Sequence, residues 1–353
     1  MRIGVPKEIK TLEGRIALIP DAVADLVQHG HEVFIEQEAG VLSGYSDENF
    51  RQAGAQIVPD AKALYDAGEM IVKVKEPQPA ELSLLRSDQI LFSYLHLAAE
   101  VDLIKGLEQI GLTAVAFETV QLPDGQLPLL APMSDIAGRV SIQVGTHLLH
   151  SPQGGRGILL GGLPAAERGK VVILGAGVAG GNAALYAANI GAEVVVFDRS
   201  RSKLERMRAL GPNVTALYSY AQSINEHVSQ ADLLVGAILV TGERAKKIVT
   251  ADMVRSMKKG SVIIDISVDQ GGCVETTRPT NYENPTFVWE GVVHFGVTNM
   301  PGAVPRSASQ ALSASLIPYV LRLASPDWEQ QADLTAGINV KQGKIVHPAL
   351  QNL

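Results

Sequence analysis

Gly175, Gly177 and Gly180 stand at the spacing that lets a chain wrap a pyrophosphate, in the segment Gly175-Ala176-Gly177-Val178-Ala179-Gly180. The first glycine permits a tight turn, the second lets backbone approach phosphate, and the third lets a helix pack on the preceding strand. A helix opening there presents unpaired N–H groups and its positive dipole end to the phosphates. The apolar run Val171-Val172-Ile173-Leu174 leads into the glycines, and residues 182–188 can continue as helix. A second apolar run, residues 194–197, ends at Asp198. That is about 20 residues on, where a carboxylate accepts hydrogen bonds from an adenosine ribose. An ordinary βα turn is the bland alternative, but here strand, turn, helix, strand and acid are all in register. Asp198 favours NAD over NADP because it repels a 2′-phosphate, although Arg199 and Arg201 beside it are the residue type an NADP site uses.

Four more residues sit where ligands bind in open α/β sheets, beyond the carboxyl ends of strands. Arg15 lies in the loop after a first strand, Lys75 caps residues 71–74, and His96 ends the run 90–95. A guanidinium can hold a carboxylate in a fork, and a lysine adds a point charge. A histidine titrates near neutrality and can move protons. Asp269 follows the run 263–266 and precedes a double-glycine turn, where a carboxylate could assist proton transfer or orient an amine. Each residue has a plainer reading: Arg15 as a solvated surface charge, Lys75 as the stop of an edge strand, His96 as a hydrogen-bonded core residue. Asp269 could be an Asx-type turn former.

The elements that must carry these residues are legible as alternating runs. Strand candidates in the first part are residues 3–5, 32–35, 70–74, 90–94 and 113–117. Residues 21–30 between the first two carry apolar positions at helical spacing and stop at Gly30. Such alternation predicts a parallel sheet with helices on its faces. After a turn-rich stretch around Pro123, Gly125 and Pro128 comes a helix over about 134–147. The nucleotide-binding strand, the runs 231–236 and 261–266, and a last run at 292–297 follow. A long helix over about 310–324 is expected to return to the first part. The fold class is therefore α/β with two Rossmann-like doubly wound domains. Residues 1–128 with 306–353 form a discontinuous substrate and catalytic domain, and residues 129–305 an inserted NAD-binding domain.

At 353 residues the chain is long enough for two cores. A net charge of −7 argues against a nucleic-acid footprint, and no apolar run reaches the roughly 18 residues needed to span a bilayer. The single cysteine, Cys273, excludes an intramolecular disulfide and reads as an inert small residue in a reducing, cytoplasmic setting.

These residues lie within longer matching segments. Residues 2–8, Val72-Lys73-Val74-Lys75-Glu76-Pro77, Leu95-His96-Leu97-Ala98, residues 129–134, Gln153-Gly154-Gly155-Arg156-Gly157, residues 268–273 and Asn299-Met300-Pro301-Gly302 carry a resemblance to the bacterial L-alanine dehydrogenases. The resemblance spans essentially the whole chain. It implies reversible oxidative deamination of L-alanine to pyruvate and ammonium with NAD, and a homo-hexamer; no metal-ligating residues are singled out. It implies substrate binding by Arg15 and Lys75 and catalysis by His96 and Asp269. Cofactor contacts are implied at Ser134, Gly175, Gly177, Val178, Ala179, Gly180, Asp198, Lys203, Ser219, Ile238, Leu239, Ile266, Asp269, Arg278, Val297, Asn299 and Met300. Three residues depart from the family pattern. Gly14 replaces a bulky aromatic before Arg15, which predicts a looser loop. Thr241 replaces a proline, and Arg199 an aliphatic residue beside Asp198. A related amino-acid dehydrogenase, a transhydrogenase-like NAD-binding subunit and a non-enzymatic NAD-binding regulator are the competing readings.

Overall fold

A computed structural model describes residues 1–238 and 247–351. The chain divides into two compact units, Met1–Met133 with Val304–Leu353, and Ser134–Ala303. The first strands are β1 (Arg2–Val5), β2 (Glu32–Glu36), β3 (Gln56–Val58), β4 (Met70–Val72), β5 (Ile90–Ser93) and β6 (Thr113–Ala116). Next come β7 (Lys170–Leu174), β8 (Glu193–Asp198), β9 (Val214–Tyr218), β10 (Leu233–Gly236) and β11 (Val262–Asp265). The last are β12 (Thr286–Trp289), β13 (Val292–Phe295), β14 (Ile338–Lys341) and β15 (Lys344–Ile345). The helices are α1 (Pro20–Gln28), α2 (Asp47–Gln52), α3 (Ala61–Ala67), α4 (Pro79–Leu82), α5 (Val101–Ile110) and α6 (Ala131–Leu148). They continue with α7 (Val178–Asn189), α8 (Arg201–Arg208), α9 (Ala221–Gln230), α10 (Ala251–Arg255), α11 (Pro305–Leu323) and α12 (Ala332–Ala336).

Each unit is built on one sheet. The first has the order β15-β14-β6-β5-β4-β1-β2-β3 and the second β12-β13-β11-β10-β7-β8-β9. Pairing is parallel from β6 to β3, and β14 and β15 add antiparallel strands at the β6 edge. In the second sheet only β12 is antiparallel. The parallel core of both therefore follows the doubly wound order 3-2-1-4-5-6, which is the expected α/β class. The order reverses between β1 and β4 in one sheet and between β7 and β10 in the other.

Strands covered on both faces read as continuous apolar runs. Val171, Val172 and Ile173 of β7 and Leu233, Leu234 and Val235 of β10 are wholly buried. Boundaries shift from the sequence reading at several ends. β4 stops at Val72, so Lys75 lies in the loop beyond the strand. The pairing fades rather than breaks, because the Lys73 N–H still donates to the Phe92 carbonyl. β4 is interior to the sheet, which rules out Lys75 as the stop of an edge strand. The helix read over 310–324 begins earlier, at Pro305, a residue suited to a first helical turn.

A buried charge cluster ties the loops of the first unit together. The wholly buried Lys73 ammonium sits 3.2 Å from Glu8 and 3.3 Å from Glu81 and donates to the Lys75 carbonyl at 3.0 Å. That accounts for its three donors. Burial opposes the Lys73 charge, but the two carboxylates outweigh it and raise its pKa. Glu8 accepts the backbone N–H groups of Val74 and Lys75, latching the loop after β1 to the loop after β4. Burial pushes the Glu8 carboxyl up even against Lys73. Glu81 accepts from the Tyr65 hydroxyl at 2.9 Å and from the Gln78 N–H at 2.7 Å, which starts α4.

In the second unit, Gly175 turns out of β7 with φ +98°, and α7 lies so close that a Cβ on Gly180 would fall 1.8 Å from the Gly175 carbonyl oxygen. Gly180→Ala is expected to push α7 off the turn and cost about 1–3 kcal/mol in urea unfolding, as overpacking does. Wild-type stability in that variant would contradict the close packing. Lys73→Met should cost about 3–5 kcal/mol by the same measurement, because two buried carboxylates lose their shared cation. A variant as stable as the parent would mean the cluster contributes no net pairing.

Candidate active site

In the first unit the sequence-predicted residues gather on the loops at the switch between β1 and β4. Arg15, in the loop after β1, is 3% exposed, so the solvated-surface reading is wrong. Its Nε donates to Glu13 Oε1 at 2.7 Å and a terminal nitrogen donates to Glu13 Oε2 at 2.5 Å. The Arg15 N–H also reaches Glu13 Oε1 at 3.0 Å, and the other terminal nitrogen approaches the Met133 sulfur at 3.0 Å. Burial works against the Arg15 charge, but Glu13 more than offsets it and its pKa is raised. Glu13 keeps its own carboxyl below the usual range despite burial, through the same bonds. The loop is therefore pinned, not loosened by Gly14. Gly14 gives room for close packing instead, since a Cβ there would lie 3.2 Å from Leu42 Cβ.

Lys75 is held through its backbone by Glu8. Its ammonium makes no hydrogen bond or ion pair with any of the described residues. Burial lowers its pKa, and the Arg15 charge lowers it further. Two neighbouring cations, one of them without an ion pair among the described residues, are groups of the kind that can receive a small carboxylate.

His96 follows β5 and is half-buried. Its backbone is left-handed, with φ +50° and ψ +36°. That is unusual outside glycine. Its N–H donates to Glu118 Oε1 at 2.6 Å, and the Leu95 N–H donates to both oxygens of Glu118, at 3.1 and 3.3 Å. The imidazole itself has no hydrogen-bond partner among the described residues, so the reading of a hydrogen-bonded core histidine fails. Beside it, 5.9 Å between ring centroids, stands Tyr94. The Tyr94 hydroxyl donates to the Leu129 carbonyl at 2.6 Å, and burial raises its pKa.

The second unit collects a separate set at its own strand ends. Gly177 opens α7 with no side-chain cap, and a Cβ there would meet nothing within 4 Å. The first turn of α7 thus keeps its N–H groups without a capping side chain, the feature a pyrophosphate requires. Val178 is exposed and Ala179 half-buried beside them. Asp198 ends β8, and its two oxygens accept the N–H groups of Ala176 (2.7 Å) and Ser200 (2.8 Å). A carboxylate has about four lone-pair sites, so room is left for ribose hydroxyls. Ser219 donates its N–H to the Asp198 carbonyl at 3.2 Å, and Lys203 lies in the first turn of α8, capped by Ser200. Ile238 follows β10 and Ile266 follows β11, with the Ile266 N–H bonded to the Gly236 carbonyl. These residues fit NAD.

Asp269 is exposed in a short 3₁₀ turn over Val268–Gln270. Two groups that the sequence reading missed clamp its loop. The buried Asp265 carboxylate accepts the N–H groups of Ser267 and Val274, both at 3.2 Å, and burial pushes its pKa up to about 6. Lys247 donates to the carbonyls of Gly271 and Val274. Cys273 is buried against Asp265, as an inert residue would be. Ser134 is half-buried on α6, and Asn299 is half-buried too. Val297 and Met300 are each 2% exposed, which leaves mainly backbone to offer a ligand. Arg278 packs over the Phe287 ring at 4.6 Å. Leu239 and Thr241 lie outside the described residues. No group of three or more metal-ligating side chains occurs among the described residues. Nor is any described helix long and apolar enough to cross a membrane.

Comparison with known proteins identifies the family. A family model described as "Alanine dehydrogenase/PNT, N-terminal domain" matches residues 4–137, and the corresponding C-terminal domain model matches residues 141–348. The alanine dehydrogenase of Halomonas elongata is 47% identical, over 99% of this chain and 96% of the relative. A solved L-alanine dehydrogenase superposes with TM-score 0.96 at 52% identity, covering 100% of this chain and 98% of the other. A transhydrogenase structure from Sinorhizobium meliloti gives TM-score 0.85 at 26% identity, covering 99% and 100%. With both of its domain models matched in turn and relatives aligned end to end, the chain belongs to the alanine dehydrogenase/PNT family.

Proposed function

We propose that this chain catalyses the reversible, NAD-dependent oxidative deamination of L-alanine to pyruvate and ammonium. The observation that carries the proposal is the Lys75 ammonium, which makes no ion pair among the described residues, the nearby Glu13 and Glu76 being paired with Arg15 and Lys10. A substrate carboxylate supplies the missing negative charge. In this reading Arg15 and Lys75 fix the carboxylate of alanine, and Lys75 also polarises the carbonyl of pyruvate in the reverse direction.

NAD, when bound, supplies the acceptor for the hydride that leaves the alanine Cα. Gly175, Gly177 and Gly180 and the first turn of α7 would hold its pyrophosphate, and Asp198 its ribose. Loss of hydride leaves an iminium carbon on the substrate. His96 accepts a proton from the water that adds to that carbon and returns one to the departing amine. Asp269 is the second catalytic residue of this reading, a carboxylate of the kind that balances developing positive charge. The balance is alanine, NAD⁺ and water giving pyruvate, ammonium, NADH and a proton. The residues 1–133 with 304–353 are the substrate and catalytic domain in this reading, and residues 134–303 the NAD-binding domain. A cytoplasmic homo-hexamer acting without membrane or nucleic acid completes it.

The direct test is absorbance at 340 nm with alanine and NAD, repeated with NADP. NADH formation that depends on alanine is expected. NAD binding without it would favour a transhydrogenase-like subunit or a regulator. His96→Ala should lower turnover by about 10²–10⁴, the usual worth of acid–base catalysis. Unchanged turnover would make His96 a packing residue. Lys75→Ala should raise the KM for pyruvate strongly, and unaltered saturation would remove Lys75 from the site.

A further inference from the structure

The imidazole of His96 has no hydrogen-bonding side chain to orient it among the described residues, so something else must aim it. Its backbone is the candidate. A left-handed conformation on a residue other than glycine costs of order 1–3 kcal/mol and persists only where the surroundings over-determine it. His96 holds such a conformation, with φ +50°, and its N–H and that of Leu95 both end on one carboxylate. Glu118 follows β6, in the short turn Phe117–Thr119. Its Oε1 accepts two successive N–H groups, from Leu95 at 3.1 Å and from His96 at 2.6 Å. Bonds from both N–H groups to one carboxylate hold the peptide planes on either side of Leu95, and with them the nitrogen from which His96 begins. Hydrogen bonds to a charged acceptor are the strong kind. The turn that carries Glu118 is itself braced, since Phe117 packs edge-on against both Phe92 (4.5 Å) and Tyr94 (4.9 Å).

We propose that Glu118 is the positioning residue of the proton-transfer step: its carboxylate pins the amide groups of residues 95 and 96 and so fixes the point from which the His96 imidazole projects. Glu118 acts on the backbone, in contrast to an acid that bonds the imidazole directly. The inference rests on His96 being the proton carrier, and the experiment separates the two. Misplacing a catalytic group by about 1 Å can cost of order 10²-fold. Glu118→Ala is therefore expected to lower kcat for alanine oxidation about ten- to a hundredfold, with the KM for NAD unchanged. Glu118→Gln keeps an acceptor oxygen at the Oε1 position, and it should recover all but about threefold of that loss. In a His96→Ala background, Glu118→Ala should add little, because there is no imidazole left to misplace.

Three results would overturn the proposal. They are full activity in Glu118→Ala, a Gln variant as slow as the Ala variant, and an undiminished further loss in the His96→Ala background. Should Glu118→Ala fail to fold, the Gln variant alone still decides, since a loss of more than about tenfold in a folded Gln enzyme contradicts an acceptor role. A crystal structure of the more slowed variant reads the backbone itself. A displaced backbone at residues 95 and 96 is expected, and a backbone that keeps its place overturns the hold whatever the kinetics. If His96→Ala alone is fully active, it is the acid–base reading of His96 that fails, and the crystal structure still decides whether Glu118 holds this backbone.

Discussion

An ammonium carried into a protein seeks an anion, and that of Lys75 makes no ion pair among the described residues, with Glu76 and Glu13 acting on it only from a distance. Its neighbours make the imbalance worse. Burial and the Arg15 charge both lower the Lys75 pKa. The carboxylates nearby have cations of their own: Glu13 pairs with Arg15, Glu76 with Lys10, and Glu8 and Glu81 with Lys73. The rest of the first unit can be understood as the scaffold that maintains this unmatched charge. Glu8 fixes the loop after β1 to the loop after β4, so that the arginine and the lysine arrive at the same end of the same sheet. Placing both loops at a reversal of strand order is what gives them room.

Matched and unmatched charges have different consequences here. Lys73 has its pKa raised because two carboxylates outweigh burial, and it is structural. Lys75, two residues on, has its pKa lowered by the same burial without that compensation, and it is available to a ligand. The second unit solves its recognition problem with backbone in place of side chains. Gly177 leaves the first turn of α7 uncapped, while Gly180 lets that helix approach the Gly175 carbonyl. An anion there meets aligned N–H groups, and no cationic side chain is needed.

Much of this was legible before any coordinates. Strands such as β7 and β10 are buried on both faces and announce themselves as unbroken apolar runs. The glycine fingerprint and Asp198 are local patterns with a local cause. β3, β9, β12, β14 and β15 were not legible. β3, β9, β12 and β15 are terminal in their sheets, and β14 adds antiparallel pairing near an edge. The exposed and half-buried residues of β12, in Thr286–Trp289, look like a loop. In the site, residue type and position flagged Arg15, Lys75 and His96, but not their partners. Glu13 stands two residues before Arg15 and could have been read as its pair. Glu118 acts across 22 residues through backbone N–H groups, and Asp265 through loop amides, so side-chain type gave no sign of either. The reading of Arg15 as a surface charge failed because a buried bidentate partner turns an expensive arginine into an affordable one.

The central claim is that Lys75 is a cation waiting for a carboxylate. The direct measurement is the Lys75 titration itself, followed by NMR of isotopically labelled lysine side chains, with Lys75→Arg used for assignment. The free protein should show one lysine titrating below the usual 10.5, and saturating pyruvate in the presence of NADH should move that titration upward as the carboxylate supplies the missing charge. A Lys75 that titrates at the ordinary value, or that does not respond to pyruvate, would contradict the account.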